Sequence, residues 1–268
     1  MRFGLQLWPQ TIDWPAFRDA AITAEEAGWD SVWTWDHLLA IFGPADRPNL
    51  EGWSVLAALG PLTSRVRLGL MVAANTFRTP GLTAKLATTL DHVSAGRAVL
   101  GIGGAWFEPE HTAFGIDFGS GPGQRLDWLD ESVMLMRRLL DGERVTHDGP
   151  TYRMVDAVCE PRPVQAALES HASALGRDLS TLEKSVSFPL VIGTSAKAAR
   201  DRLEELMAVH GITDMGAGPH LTGTPEEIAD AIRPFRDLGF ETVIVRMPSP
   251  YDRGTIERIG EVEALLAR

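Results

Sequence analysis

The sequence predicts an α/β protein built from repeated βα units around a parallel sheet, and three observations carry that expectation. Short apolar runs alternate with amphipathic stretches of helical period along the chain. The helical stretches carry their own start and stop residues. The chain, 268 residues at 44% hydrophobic content, is long enough for one large domain with a proper core. Six candidate strands follow: RFGLQLW from Arg2, SVWTW from Ser31, VRLGLMV from Val66, AVLGIG from Ala98, SVSFPLVIG from Ser185 and TVIVRM from Thr242. Asp13 with Pro15 opens a helix that stops at Gly28. Thr79 with Pro80 opens another, with Leu82, Leu86, Leu90 and Val93 as an apolar stripe on one face and Gly96 past its end. Leu126, Leu129, Val133, Met136 and Leu140 form a further stripe at helical spacing, read as core. GERVTHDGPTYRMV sets Asp148 and Gly149 between two β-prone runs, the pattern of a hairpin. Thr224, Pro225 and Glu227 make a capping box for a helix bearing Ile228, Ala231, Ile232 and Phe235, which Pro234 should kink or shorten. No low-complexity linker divides residues 1–268, so a single domain is expected.

Composition excludes several roles. A formal net charge of -11 leaves no basic face for nucleic acid or an anionic membrane. The single cysteine, Cys159, rules out an internal disulfide and reads as a small hydrophobe beside the hairpin. The chain opens directly on the strand-like Arg2 to Trp8, with no leader-like apolar region and no run of membrane-spanning length, so a cytoplasmic protein is expected.

If the βα units close into a barrel, chemistry gathers at the carboxyl ends of the strands, where the loops converge. Those ends carry Trp8-Pro9-Gln10, Trp35-Asp36-His37, Val72 to Thr76, Gly103 to Trp106, and Arg246-Met247-Pro248. Asp36 and His37 are the candidate catalytic pair, because histidine exchanges a proton near neutral pH and a carboxylate biases its charge. Neighbouring strand residues point to opposite faces, so the two need not touch. The plainer alternative makes Asp36 a loop cap and His37 a hydrogen-bonded surface group. The run Gly101 to Gly104 fails the dinucleotide fingerprint, since Trp106 stands where a third glycine is required. A backbone approaching a flat ligand also needs glycine, and so does a tight strand exit. Glu108, Glu110 and His111 offer metal-ligating atoms, but at a spacing that matches no helical metal pattern, so no metal is assigned. Trp8, Trp33, Trp35, Phe77, Trp106 and Phe107 near strand ends suit a planar cofactor, although most such aromatics pack the core or rim.

GWDSVWTWDHL (Gly28 to Leu38), the block Thr63 to His111 ending in GIGGAWFEPEH, GQRLDWLDE (Gly123 to Glu131) and GTPEEIADAI (Gly223 to Ile232) together resemble the bacterial luciferase-like flavin superfamily. The resemblance is strongest to its branch of oxidoreductases using the deazaflavin coenzyme F420, and covers Arg2 to about Pro163 and Ser185 to the end. It implies a TIM (β/α)8-type barrel with the cofactor ring across the strand ends. Hydride would pass between the deazaflavin and a small organic substrate. It also implies a cis peptide at Met71–Val72 in a bulge against the ring, Asp36 and His37 beside the ring with His37 the proton partner, Asn75 and Thr76 on the loop lining the cofactor, and Gly104 and Trp106 as its wall.

One departure stands out. After Pro161 the family runs into a strand with a glycine-rich phosphate-binding turn, a helix and another strand, together roughly 40 residues by usual element lengths. Here PRPVQ leads into a stretch whose Val164, Ala167, Leu168, His171 and Leu175 have helical spacing. The fifth strand, its helix and the sixth strand are therefore expected to be missing, by a deletion near residues 163–166 or by residues omitted from the sequence. The exposed barrel edges would favour a homodimer. Two alternatives stay open: an FMN-dependent monooxygenase, and a non-catalytic flavin-binding barrel. The loops Ala40 to Leu50 and Gly115 to Gly123, which would select a substrate, show no recognisable chemistry.

Overall fold

A computed structural model describes residues 1–164, 183–213 and 220–267. The strands are β1 (Arg2–Leu7), β2 (Ser31–Thr34), β3 (Arg67–Leu70), β4 (Ala73–Ala74), β5 (Ala98–Val99), β6 (Ile102–Gly103), β7 (Val145–Asp148), β8 (Arg153–Ala157), β9 (Ser185–Ile192), β10 (Leu221–Gly223) and β11 (Thr242–Met247). The α-helices are α1 (Trp14–Glu26), α2 (Gly52–Leu59), α3 (Pro80–Val93), α4 (Glu108–Phe114), α5 (Pro122–Leu140), α6 (Ala196–Val209), α7 (Pro225–Asp237) and α8 (Arg253–Leu266). The α/β class is as expected, around a seven-stranded parallel sheet in the order β10-β9-β11-β1-β2-β3-β5. Among the described residues no ladder joins β5 to β10. The helical spacing after Val164, and the point at which the fifth and sixth strands would be lost, fall on residues 165–182, outside the described residues.

All six expected strands form, two of them broken. VRLGLMV stops as β3 at Leu70 and resumes as β4 after a cis Met71–Val72 bond, and AVLGIG divides into β5 and β6. The breaks are matched: β3 pairs with β5, and β4 with β6. A Cβ at Gly101 would stand 2.4 Å from the Leu70 carbonyl oxygen, and one at Gly103 would stand 2.8 Å from the Val72 side chain. Those two glycines let the strands cross closely at the break. The three-residue β10 escaped the sequence reading because a run so short carries no periodicity.

The start signals act as read. Asp13 accepts from the Ala16 amide at 2.9 Å, Thr79 from Leu82 at 3.4 Å, and Thr224 and Glu227 cap α7 reciprocally. Pro234 lies inside α7 without shortening it, the helix running on to Asp237. Two apolar stripes need correction. In α3 the buried residues are Pro80, Thr83, Ala84, Ala87, Thr88, Leu90 and Asp91, while Leu82 and Val93 are exposed. In α5 the buried set is Arg125, Ser132, Leu135, Met136 and Leu139, with Leu126 exposed. α3 and α5 pack on each other, so the buried arc of α3 is shared between the sheet core, through Ala87 and Leu90, and α5, through Ala84. Small residues of α3 fill the seam, where Ala84 joins Leu135, Met136, Leu139 and Cys159. Cys159 is thus the buried small hydrophobe expected of it.

The main core runs beneath the sheet from Phe3, Leu5 and Leu7 to Leu68, Val243 and Val245, with α1, α7 and α8 closing over it. Trp29, fully buried, donates its indole N–H to the Ile256 carbonyl at 2.9 Å and joins β2 to α8. Each large side chain buried in this way contributes about 1.5–3 kcal/mol.

The loop from Ala40 to Leu50 is tied down through Gln10. Its side-chain oxygen accepts from the Ile41 and Phe42 amides, and its nitrogen donates to the Phe42 carbonyl and to His210 Nδ1 at 2.8 Å. His210 Nε2 faces the Ser249 carbonyl at 2.6 Å, so it carries the ring proton and Nδ1 accepts. Burial, assisted by Arg47, pushes the His210 pKa below its ordinary value.

Two predictions follow from these contacts. Gly101→Ala should lower the urea-unfolding free energy by about 2 kcal/mol or more, because backbone must move. Gly104→Ala, whose Cβ would have no neighbour nearer than 3.7 Å, should stay within about 0.5 kcal/mol of wild type. For His210, the unfolded chain takes up a proton near pH 6.5 while the folded state resists it. Its contribution is therefore complete above that pH and is lost as the pH falls toward the lowered folded value. Thermal melts should show a drop in Tm below about pH 6.5 that is shallower in His210→Gln; equal slopes in the two proteins would place the acid loss elsewhere.

Candidate active site

The ladders that link β1, β2, β3 and β11 are parallel, so their carboxyl ends share one edge of the sheet. Most aromatics expected at this mouth pack inward. Trp8 and Trp35 are buried, with Trp8 stacked on Phe42 at 4.9 Å, and Trp33 gives its indole N–H to Ser31. Phe77 lies against His111 at 5.0 Å. Trp106 differs: 63% exposed, it meets the His37 ring edge-to-face at 5.6 Å and contacts Phe107 at 5.4 Å.

Asp36 and His37 do not act on each other. Asp36 is buried and forms a forked ion pair with Arg78, at 2.6 and 3.1 Å, while also accepting from the Ala74 amide at 2.9 Å. Arg78 reaches on to Glu51 at 2.8 Å, and Glu51 caps α2 through the Trp53 and Ser54 amides. Burial pushes the Asp36 carboxyl above its ordinary range, against the opposing pull of Arg78 and the Ala74 N–H. The expected catalytic pair thus separates, because alternation along the chain sends Asp36 inward. Asp36 braces the loop after β4.

His37 takes its partner from α4. Its Nδ1 lies 2.8 Å from Glu110 Oε1, while Glu110 Oε2 accepts from the Leu38 amide at 2.8 Å. Glu110 is 1% exposed, and the His37 side chain 12%. The Asn49 side-chain amide donates to the His37 carbonyl, and Trp35 and Phe107 pack edge-on to the ring. No hydrogen bond is made by His37 Nε2 among the described residues.

Asn75 and Thr76 are committed elsewhere. The Asn75 amide donates to the Tyr152 hydroxyl at 3.1 Å. His111 Nδ1 meets the Phe107 carbonyl at 2.9 Å, so the proton sits there and Nε2 accepts from the Thr76 hydroxyl at 2.7 Å. The two residues help to line an open cleft of about 290 Å³ with Arg78, Asp117, Trp128 and Tyr152, and His37 is not among its lining residues. Met71 is anchored through its carbonyl by Gln6 at 3.0 Å, which leaves the Val72 side chain 44% exposed. A Cβ at Gly104 would touch the Arg125 carbonyl and Leu126 at 3.7 Å, ordinary van der Waals contact, so this half-buried glycine is not forced by packing, whereas Gly101 and Gly103 serve strand packing. Val72 beside Gly103, Leu126 beside Gly104 and the exposed Trp106 thus line an apolar wall along this stretch, and Trp106 is the member that meets His37.

Glu110 and His111 are engaged as described, and no group of three or more His, Cys, Asp or Glu stands where it could hold a metal among the described residues. Sequence reasoning considered Glu110 only as a metal ligand and passed over Arg78 and Tyr152. Their partners are 73, 42 and 77 positions away, and no local pattern announces such pairs. No described helix is long and apolar enough to cross a membrane.

The Asp36 brace makes a stability prediction. Asp36→Ala leaves the half-buried Arg78 with Glu51 alone and should lower the unfolding free energy by about 3 kcal/mol in urea titrations. A loss under about 1 kcal/mol would mean that the pair merely decorates the loop.

Comparison with known proteins gives the family and the fold. The chain is 33% identical over 223 residues to an F420-dependent glucose-6-phosphate dehydrogenase of Microbacterium testaceum, a match covering 82% of this chain and 59% of that protein. It therefore spans rather less than two thirds of that relative's length. An uncharacterized protein of Mycobacterium tuberculosis is 30% identical over 234 residues, covering 84% of this chain and 79% of its own. In fold the chain is similar to an F420-dependent secondary alcohol dehydrogenase in complex with an F420-acetone adduct (TM-score 0.79, 18% identity, 99% of this chain and 98% of that one). It is also similar to the F420-dependent tetrahydromethanopterin reductase of Methanopyrus kandleri (TM-score 0.76, 18% identity, 98% of each chain). The family model described as luciferase-like monooxygenase matches residues 1–168, and with that match this chain belongs to the luciferase-like family.

Proposed function

We propose that this chain is an F420-dependent oxidoreductase acting on a small organic substrate, with His37 as the proton partner. The observation that carries the reading is the juxtaposition of His37, tethered through Nδ1, with an exposed apolar wall of Val72, Gly104 and Trp106. That wall suits a flat ring: Gly104 brings no side chain to it, and Trp106 offers an aromatic face beside the histidine. The names of the relatives point to the same cofactor. The bound deazaflavin would supply hydride transfer, and the protein's task is to orient and shield it. Met71 and Val72 would back the ring, with the loop of Asn75 and Thr76 beside it. Asp36 serves by bracing that loop rather than by exchanging protons.

The barrel short of its fifth strand, following helix and sixth strand is also a proposal. Its support is the main sheet ending at β5 and β10 among the described residues, together with the few residues between Val164 and Ser185, too short a span for a βαβ unit of roughly 30 residues.

A fluorescence titration with oxidised F420 and, separately, FMN tests the cofactor. Saturable binding of F420 alone, weakened about tenfold by Trp106→Ala, is the expected result. In that protein His37→Ala should lower turnover by about 10²–10⁴-fold. Preference for FMN would favour a monooxygenase, and binding of neither by the folded protein would sink the enzymatic reading.

A further inference from the structure

We infer that Glu110 is a positioning residue: it holds His37 in the single tautomer with the proton on Nδ1, so that Nε2 faces the site as a proton acceptor. The inference rests on the oxidoreductase reading only for its consequence in turnover; the tautomer itself is a property of the free protein. A carboxylate accepts and cannot donate. Glu110 spends one oxygen on the Leu38 amide, a donor without alternative, and the other on His37 Nδ1, both at 2.8 Å. Nδ1 must therefore carry the hydrogen. The ring cannot turn to exchange its nitrogens, because Trp35, Trp106 and Phe107 pack around it with centroids 5.6–5.9 Å away.

The backbone adds a second constraint. Glu110 is gripped by the residue after His37, and Asn49 by the His37 carbonyl, so the main chain on which the imidazole rides is held from α4 and from the loop before α2. When Nε2 takes a proton from a bound hydroxyl, the O–H bond breaks, its electron pair stays on oxygen, and the new N–H leaves an imidazolium. Its charge then sits beside the buried Glu110 carboxylate, which stabilises it.

Glu110→Gln separates this role from a purely structural one. The Leu38 amide still demands an oxygen acceptor, so the glutamine oxygen must face it and its NH₂ must face His37. Nδ1 then has to accept, and the ring proton moves to Nε2. A side chain that only filled space and capped Leu38 would be replaced by glutamine without consequence. The measurement is ¹⁵N NMR of the imidazole nitrogens in the cofactor-free protein, with His37 assigned by its loss in His37→Ala. The wild type should show a protonated Nδ1 and a bare Nε2, and Glu110→Gln the reverse at unchanged Tm. In F420-loaded enzyme the same variant should lose about 10–100-fold in kcat with KM changed less than about threefold, and Glu110→Asp should restore part of it. A wild-type His37 protonated on Nε2 would overturn the proposal even if the glutamine variant failed to fold, as would a tautomer indifferent to Glu110→Gln. Failure to bind F420 would remove the F420-oxidoreductase reading and leave the tautomer standing.

Discussion

Two strands pass one another at closer than side-chain distance, and the arrangement of the site depends on that passage. The Leu70 carbonyl and the Val72 side chain occupy the space where residues 101 and 103 would carry Cβ atoms. Only glycine permits it, so the ladder between β3 and β5 can break and resume as β4 with β6. The break turns Val72 outward and lays Ala74 against Asp36, whose carboxylate receives its N–H. Beyond β6 the chain turns through Ala105 at φ 63°, a conformation that costs a residue with a Cβ about 1–2 kcal/mol and that delivers Trp106 to the mouth. The wall and the histidine beside it meet because of this crossing.

The chain carries a large excess of acid, and the carboxylates drawn inward are each given a distinct counterpart. Asp36 has Arg78, Glu110 has an imidazole and an amide, and Glu131 receives His147 and two amides beneath the β7–β8 turn. Burying a carboxylate unpaired would cost several kcal/mol, so these partners are conditions of folding rather than additions to it. Their spacing in the chain also makes them long-range staples: β2 to the start of α3, β2 to α4, α5 to the hairpin. Loops at the sheet edge, ordinarily the most variable part of an α/β protein, are in this way held by buried charge.

What was legible in the sequence follows from the range of the interactions involved. Strands, caps and the hairpin are set by neighbours within a few positions, and RFGLQLW, Thr224 with Glu227, and Asp148-Gly149 could be read directly. The helix faces were misjudged where a second helix competes with the sheet, since Leu82 and Leu126 satisfy the helical period yet point away from both partners. The site was half legible. His37, Gly104 and Trp106 could be placed at strand ends from spacing and family resemblance, but Asp36 looked catalytic because it adjoins His37, when adjacency along a strand end is what drives the two apart. Glu110 offered nothing local to mark it: an acid in the first turn of a helix more often serves the helix dipole than an imidazole on a distant strand.

Exposure alone would not have singled out the wall. Leu82, Val93 and Leu238 are comparably exposed apolar side chains, and such scattered groups are ordinary on a protein surface. What separates Val72 and Trp106 from them is company. Trp106 lies against a histidine whose one nitrogen is consumed by a buried acid and whose other makes no hydrogen bond among the described residues, on backbone held from two directions. An apolar surface that binds by area has little directional preference. One imidazole of fixed orientation supplies it, because only a ligand that lies on the wall and brings a donor to Nε2 satisfies both. Under the proposed function, ring recognition and proton exchange fall to two sets of residues that meet where Trp106 lies edge-to-face against His37.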